Sequence, residues 1–122
     1  MNSIDLKNRT KIFALTIIDL VEKLPNTISG RTISNQLVRS GTSVGANYKA
    51  VCRERSDKEF IAKLGIVIEE ADETLFWLEI IESKKWLNQS EIDKIIKEAN
   101  ELTSIFVSSA KIFKSRLNKS SI

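Results

Sequence analysis

The sequence predicts an all-α fold, an antiparallel up-down-up-down four-helix bundle that fills residues 1–122 as a single domain. Three observations carry this. Apolar residues recur at steps of three and four along most of the chain, the period of a helix with one buried face. The pattern breaks at only three places, Pro25-Asn26, Ser56 and Asn88-Gln89-Ser90. Four glycines and one proline in 122 residues leave too few turn formers for an all-β chain. A chain of this length builds one core without staples.

The first helix is expected from near Asp5 to Leu24, with Phe13, Ile17, Leu20 and Leu24 inward and Ile18 and Val21 widening that face. Pro25 stops it, because the residue before proline is pushed away from helical torsions. The second helix spans roughly Arg31 to Arg55, with Leu37, Gly41, Val44, Tyr48 and Val51 on one stripe. Gly41 and Gly45 each cost about 1 kcal/mol of helix propensity. With Ala46 they mark a place where a neighbouring backbone comes close.

Ser56-Asp57-Lys58-Glu59 has the form of a capping box, in which serine accepts from the Glu59 amide and Glu59 reaches back. The third helix follows with Phe60, Leu64, Val67, Ala71, Thr74, Leu78 and Ile81 inward. Ser90, three residues before Asp93, is the expected cap of the fourth, which carries Ile92, Ile95, Ala99, Leu102, Phe106, Ser109 and Phe113. Short connections favour antiparallel neighbours. Asn47 is expected to donate a hydrogen bond between helices, and Tyr48 and Cys52 to lie in the core.

That topology sorts the charges. The start of helix one, the end of helix two, the start of helix three and the end of helix four share one pole. It holds twelve cations, from Lys7, Arg9 and Lys11 to Arg116 and Lys119, against Asp5, Glu54, Asp57 and Glu59, a net of +8 in a chain of formal charge +3. Lys7/Lys11, Lys49/Arg53 and Lys111/Lys114 are like-charged neighbours, each costing a few tenths of a kcal/mol. Elsewhere Asp19/Lys23, Lys94/Glu98 and Lys97/Glu101 have opposite charges at helical spacing. Helix macrodipoles account for lysines at the ends of helices two and four but not at the starts of one and three. An anion-binding pole is the reading that covers all four, with nucleic acid as the polyanion.

Several functions are disfavoured. The chain has no histidine, so Glu69, Glu70, Asp72 and Glu73 lack the partner that a ferritin-like metal site needs. They are expected to form a solvated face; no catalytic residue, metal or cofactor is expected. A lone cysteine, Cys52, forms no intrachain disulfide and suits a reducing cytoplasm. Asp19 and Glu22 interrupt the early apolar run, against a signal peptide, and no 18-residue apolar stretch suggests a membrane span.

Helix three carries more apolar surface than one seam needs. Phe76, Trp77 and Ile80 are hard to bury together with its main stripe, and large exposed apolar patches mark interfaces. A homo-oligomer using helix three, and helix one beside it, is expected.

The run S-G-T-S-V-G-A-N-Y-K-A, followed by C-R-E-R-S-D-K-E-F-I-A-K-L-G-I-V-I-E-E-A-D-E-T-L-F-W-L-E, resembles the four-helix-bundle family of 23S rRNA intervening-sequence proteins. That family includes the accessory variability determinant of diversity-generating retroelements. The resemblance spans nearly the whole chain and is most specific over Ser40–Leu78, with Ser40, Ser43, Gly45, Asn47, Arg53 and Ser56 as the motif positions. It implies a bacterial cytoplasmic protein forming a barrel-like homopentamer. For the retroelement members it implies a basic surface that binds nucleic acid and a reverse transcriptase. Many relatives have an acidic residue and a glycine where this chain has Lys49-Ala50-Val51.

The functional expectation is therefore a non-enzymatic, oligomeric accessory protein. Lys49, Arg53, Arg55, Lys58, Lys111 and Lys114 would contact the phosphate backbone of RNA or DNA without reading bases. The alternative is a protein-interaction module whose basic pole docks an acidic partner, such as a reverse transcriptase or another ribonucleoprotein component.

Overall fold

A computed structural model describes residues 2–120 and consists of four helices: α1 Ser3–Val21, α2 Ile28–Val51, α3 Asp57–Lys84 and α4 Gln89–Ser120. No strand occurs among the described residues. α2 packs against α1 and α3, α3 against α4, and α1 meets α4 over a smaller contact. No helix among the described residues is long and apolar enough to cross a membrane.

Each helix begins where a side chain satisfies an otherwise unpaired amide. Asn2 accepts from the Asp5 amide at 2.9 Å, Thr27 from Gly30 at 3.1 Å and Ser56 from Glu59 at 3.2 Å. The fourth cap corrects the sequence reading. Asn88, not Ser90, accepts from the Glu91 amide at 2.8 Å, and the Ser90 hydroxyl bonds to the same Asn88 oxygen. α2 starts three residues earlier than expected because Thr27 caps it, and α1 and α2 end sooner, at Val21 and Val51. α3 ends in a Schellman arrangement. Lys85 turns left-handed (φ 58°), its amide bonds to the Glu82 carbonyl at 3.0 Å, and the Trp86 amide reaches Ile81 at 3.3 Å.

The three-four stripes converge on one core. Ile17, Leu37, Val44, Leu64, Leu78, Ile81 and Phe106 are sealed from solvent, each contributing about 1.5–3 kcal/mol. Ile18 departs from expectation and is exposed. The buried hydroxyls of Thr10 and Thr74 donate to the carbonyls of Leu6 and Glu70, both at 2.8 Å, which removes the desolvation penalty of an unpaired group.

The small residues of α2 sit against α1. A Cβ on Gly41 would lie 3.0 Å from the Ile17 side chain, and one on Gly45 would lie 3.3 Å from the Thr10 carbonyl oxygen. Asn47 does not bridge helices as expected. Its amide donates to the Ser43 carbonyl of its own helix at 2.9 Å.

Candidate nucleic-acid interface

A cavity of about 400 Å³ lies where four chain segments meet. Ser3 and Leu6 come from α1, Tyr48 and Cys52 from the end of α2 and its cap, Asp57 and Phe60 from α3, and Ser109 and Phe113 from α4. Aromatic packing holds the segments together. The Phe60 and Phe113 rings stack at 4.1 Å between centroids, and Tyr48 lies 5.5 Å from Phe106. Arg116 places its guanidinium 4.6 Å from the Phe113 ring centroid and bonds Asp57 at 3.4 Å, tying the end of α4 to the start of α3.

The six cations singled out from the sequence are all exposed. Arg55 lies on the rim of the cavity, and Lys58 stands on the first turn of α3. Arg53 follows the end of α2, and Lys111 and Lys114 flank Phe113 on α4. Lys49 lines a groove between α1 and α2. None of the six makes an ion pair among the described residues.

Three cations counted towards the basic pole are neutralised by partners within the chain. Arg9 crosses to α4, where Nε and Nη2 donate to both Glu98 oxygens at 2.7 and 2.5 Å and Nη2 reaches Glu101 at 2.7 Å. The Glu98 hydrogen bonds raise the Arg9 guanidinium pKa further above its ordinary range. Lys63 pairs with Glu54, and Arg116 with Asp57. Glu54 is held below the usual carboxylate range, chiefly by the Lys63 hydrogen bond. Glu59 is pushed up by the hydrogen bond it shares with Glu54.

The groove that takes Lys49 also takes Lys7 and Lys11. Sequence reasoning counted these two lysines in the pole but did not place them together with Lys49. The signal was present in their helical spacing and in the small residues of α2, but only the register of α1 against α2 joins them.

The carboxylates of α3 divide. Glu70 and Glu73 bind Arg39 of α2, while Glu69 and Asp72 are exposed. No three His, Cys, Asp or Glu side chains among the described residues are grouped to hold a metal ion. Of the apolar residues assigned to an interface, Phe76 is 53% exposed, whereas Trp77 and Ile80 are half-buried. Trp77 packs on the core and against the Phe76 ring at 5.1 Å, with its indole N–H buried and unbonded. Further exposed apolar side chains stand on α1, namely Ile4, Ile12, Leu15 and Ile18.

Fold and charge together define an all-helical protein with a cluster of exposed cations where its helix ends meet. Residues 2–108 match the family described as 23S rRNA-intervening sequence protein, and the chain belongs to that family. It is similar to a protein of unknown function from the S23 ribosomal protein family of Bacteroides thetaiotaomicron VPI-5482. That crystal structure has a TM-score of 0.82 and 32% sequence identity, covering 91% of this chain and 99% of the other. No curated protein matches the chain.

Proposed function

We propose that this chain is a non-enzymatic, oligomeric accessory protein that binds the phosphate backbone of nucleic acid through its basic end. One observation carries the reading. Of the twelve cations at that end, only Arg9, Lys63 and Arg116 are engaged by carboxylates among the described residues. The other nine make no ion pair among the described residues. Mutual repulsion of so many free cations is a standing cost unless a polyanion relieves it.

The helices run as an antiparallel up-down-up-down bundle in this proposal. Thr10 opposite Gly45 and Ile17 opposite Gly41, Phe60 opposite Phe113 and Glu82 beside Gln89 support that arrangement. The exposed Phe76 of α3 supports a homo-oligomer, taken as a pentamer from the family resemblance, working in the cytoplasm. Kinship with the accessory variability determinant of retroelements, and with it a reverse transcriptase as partner, belongs to the same proposal.

Binding of labelled RNA and DNA, followed by anisotropy across a salt series, tests the reading. Affinity should fall steeply as salt rises. A pulldown dominated by one acidic protein and insensitive to nuclease would instead assign the same cations to a protein partner.

A further inference from the structure

The groove between α1 and α2 has a composition unlike the rest of the surface. It measures about 370 Å³ and is lined by Lys7, Asn8, Lys11, Ala14, Thr42, Gly45, Ala46 and Lys49. Three cations and no carboxylate line it, and none of the three lysines is ion-paired among the described residues. Besides the lysines, its lining is Asn8, Thr42 and the small residues Ala14, Gly45 and Ala46, which let the two helices lie close. Gly45 permits this, since α2 there lies directly on the Thr10 carbonyl. The Thr42 hydroxyl donates to the Val38 carbonyl at 2.7 Å, which leaves its oxygen free to accept, and Asn8 is exposed.

We infer that this groove seats a single phosphodiester strand, with Lys7, Lys11 and Lys49 on its phosphates and the sugar face against Ala14, Gly45 and Ala46. The inference deepens the nucleic-acid reading and rests on it. Lys7 and Lys11 stand four residues apart, about 6 Å along the helix axis, a step close to that between neighbouring phosphates of an extended strand. Two cations on one helix and one on the other bracket such a strand, whereas a duplex would meet only the rims. The apolar part of the lining favours a sugar–phosphate chain over a small inorganic anion, which would leave that surface uncovered.

The test uses fluorescein-labelled oligouridylate and oligothymidylate at low salt, with the full-length chain and two kinds of variant. K7Q/K11Q/K49Q removes the charge. Ala46→Leu fills the groove and leaves the charge unchanged, with Thr32→Leu, an exposed site towards the other end of α2, as its control. For three lost phosphate contacts on a single strand, the slope of log K against log salt should become shallower by about 2. Ala46→Leu should weaken binding by about fivefold or more, the loss of one ordinary contact, and Thr32→Leu should bind like wild type.

Wild-type affinity and slope in both variants, with wild type binding strongly, would overturn the groove and leave the basic end as the site. Equal competition by duplex, or preferential capture of polyglutamate that oligouridylate fails to displace, would overturn it as well. Absence of any binding by wild type would sink both readings. Should Ala46→Leu melt early by circular dichroism, the exposed lysine variant decides alone.

Discussion

Gly30 shows how far a single side chain can matter here. It is buried in the first turn of α2, and a Cβ at that position would overlap the Pro25 carbonyl oxygen. Gly30→Ala should therefore destabilise the fold by about 1–3 kcal/mol in denaturant melts, as overpacking does. Gly65 has open space around its Cα, so Gly65→Ala should stabilise by up to about 1 kcal/mol through helix propensity. Tyr48 gives a second residue-scale prediction. Burial, with Cys52 adding to it, raises its phenol above the ordinary value of 10.0. The folded state thus holds the proton more tightly than the unfolded state. The stability this contributes is complete below about pH 10 and is lost as pH rises from there. Because Tyr48 is the sole tyrosine, tyrosinate absorbance should appear together with loss of helical circular dichroism. Ionisation near pH 10 with the helices intact would contradict the burial.

At the scale of elements, the turns and the pairs between helices separate what was legible from what was not. The Ser56 cap was readable because serine and Glu59 stand at the spacing of a capping box. Asn88 with Glu91 has the same form, yet Ser90 with Asp93 competed for it. Only the observed Glu91 amide bond decides between them. Charge pairs behaved similarly. Local spacing suggested Lys97 for Glu101 and Lys94 for Glu98, but Arg9 claims both acids from across the α1–α4 contact. A planar guanidinium makes two parallel bonds that a neighbouring lysine cannot match. The left-handed Lys85 could not be foreseen, since that conformation disfavours a side chain. Lys85→Gly should relieve it and stabilise by about 1 kcal/mol, visible as a higher denaturation midpoint with unchanged slope. Asn88→Ala should cost about 1 kcal/mol, whereas Ser90→Ala should cost less.

For the whole molecule, the stripes that predicted the core are buried apart from exposed Ile18 and half-buried Val21, Phe60, Ser109 and Phe113, because helical periodicity needs no knowledge of neighbours. The basic end was legible as a list of cations, but its net strength was not. Counting residues cannot tell that Arg9, Lys63 and Arg116 are spent on carboxylates, nor that α1 and α2 bring Lys7, Lys11 and Lys49 into one groove. The apolar surplus of α3 was also overcounted, since Trp77 packs partly on the core of its own chain. Phe76, exposed beside it, is the better probe of assembly. Phe76→Asp should lower the mass seen by light scattering while leaving the helical signal intact. An unchanged mass would remove Phe76 from any interface between copies.

The most direct measurement is the salt dependence of nucleic-acid binding by the intact protein. With the six exposed cations Lys49, Arg53, Arg55, Lys58, Lys111 and Lys114 each neutralising one phosphate of a single strand, log K should fall against log salt with a slope of about −4, steeper by about 1 where Lys7 and Lys11 also hold phosphates. No detectable binding to either RNA or DNA at low ionic strength would contradict it.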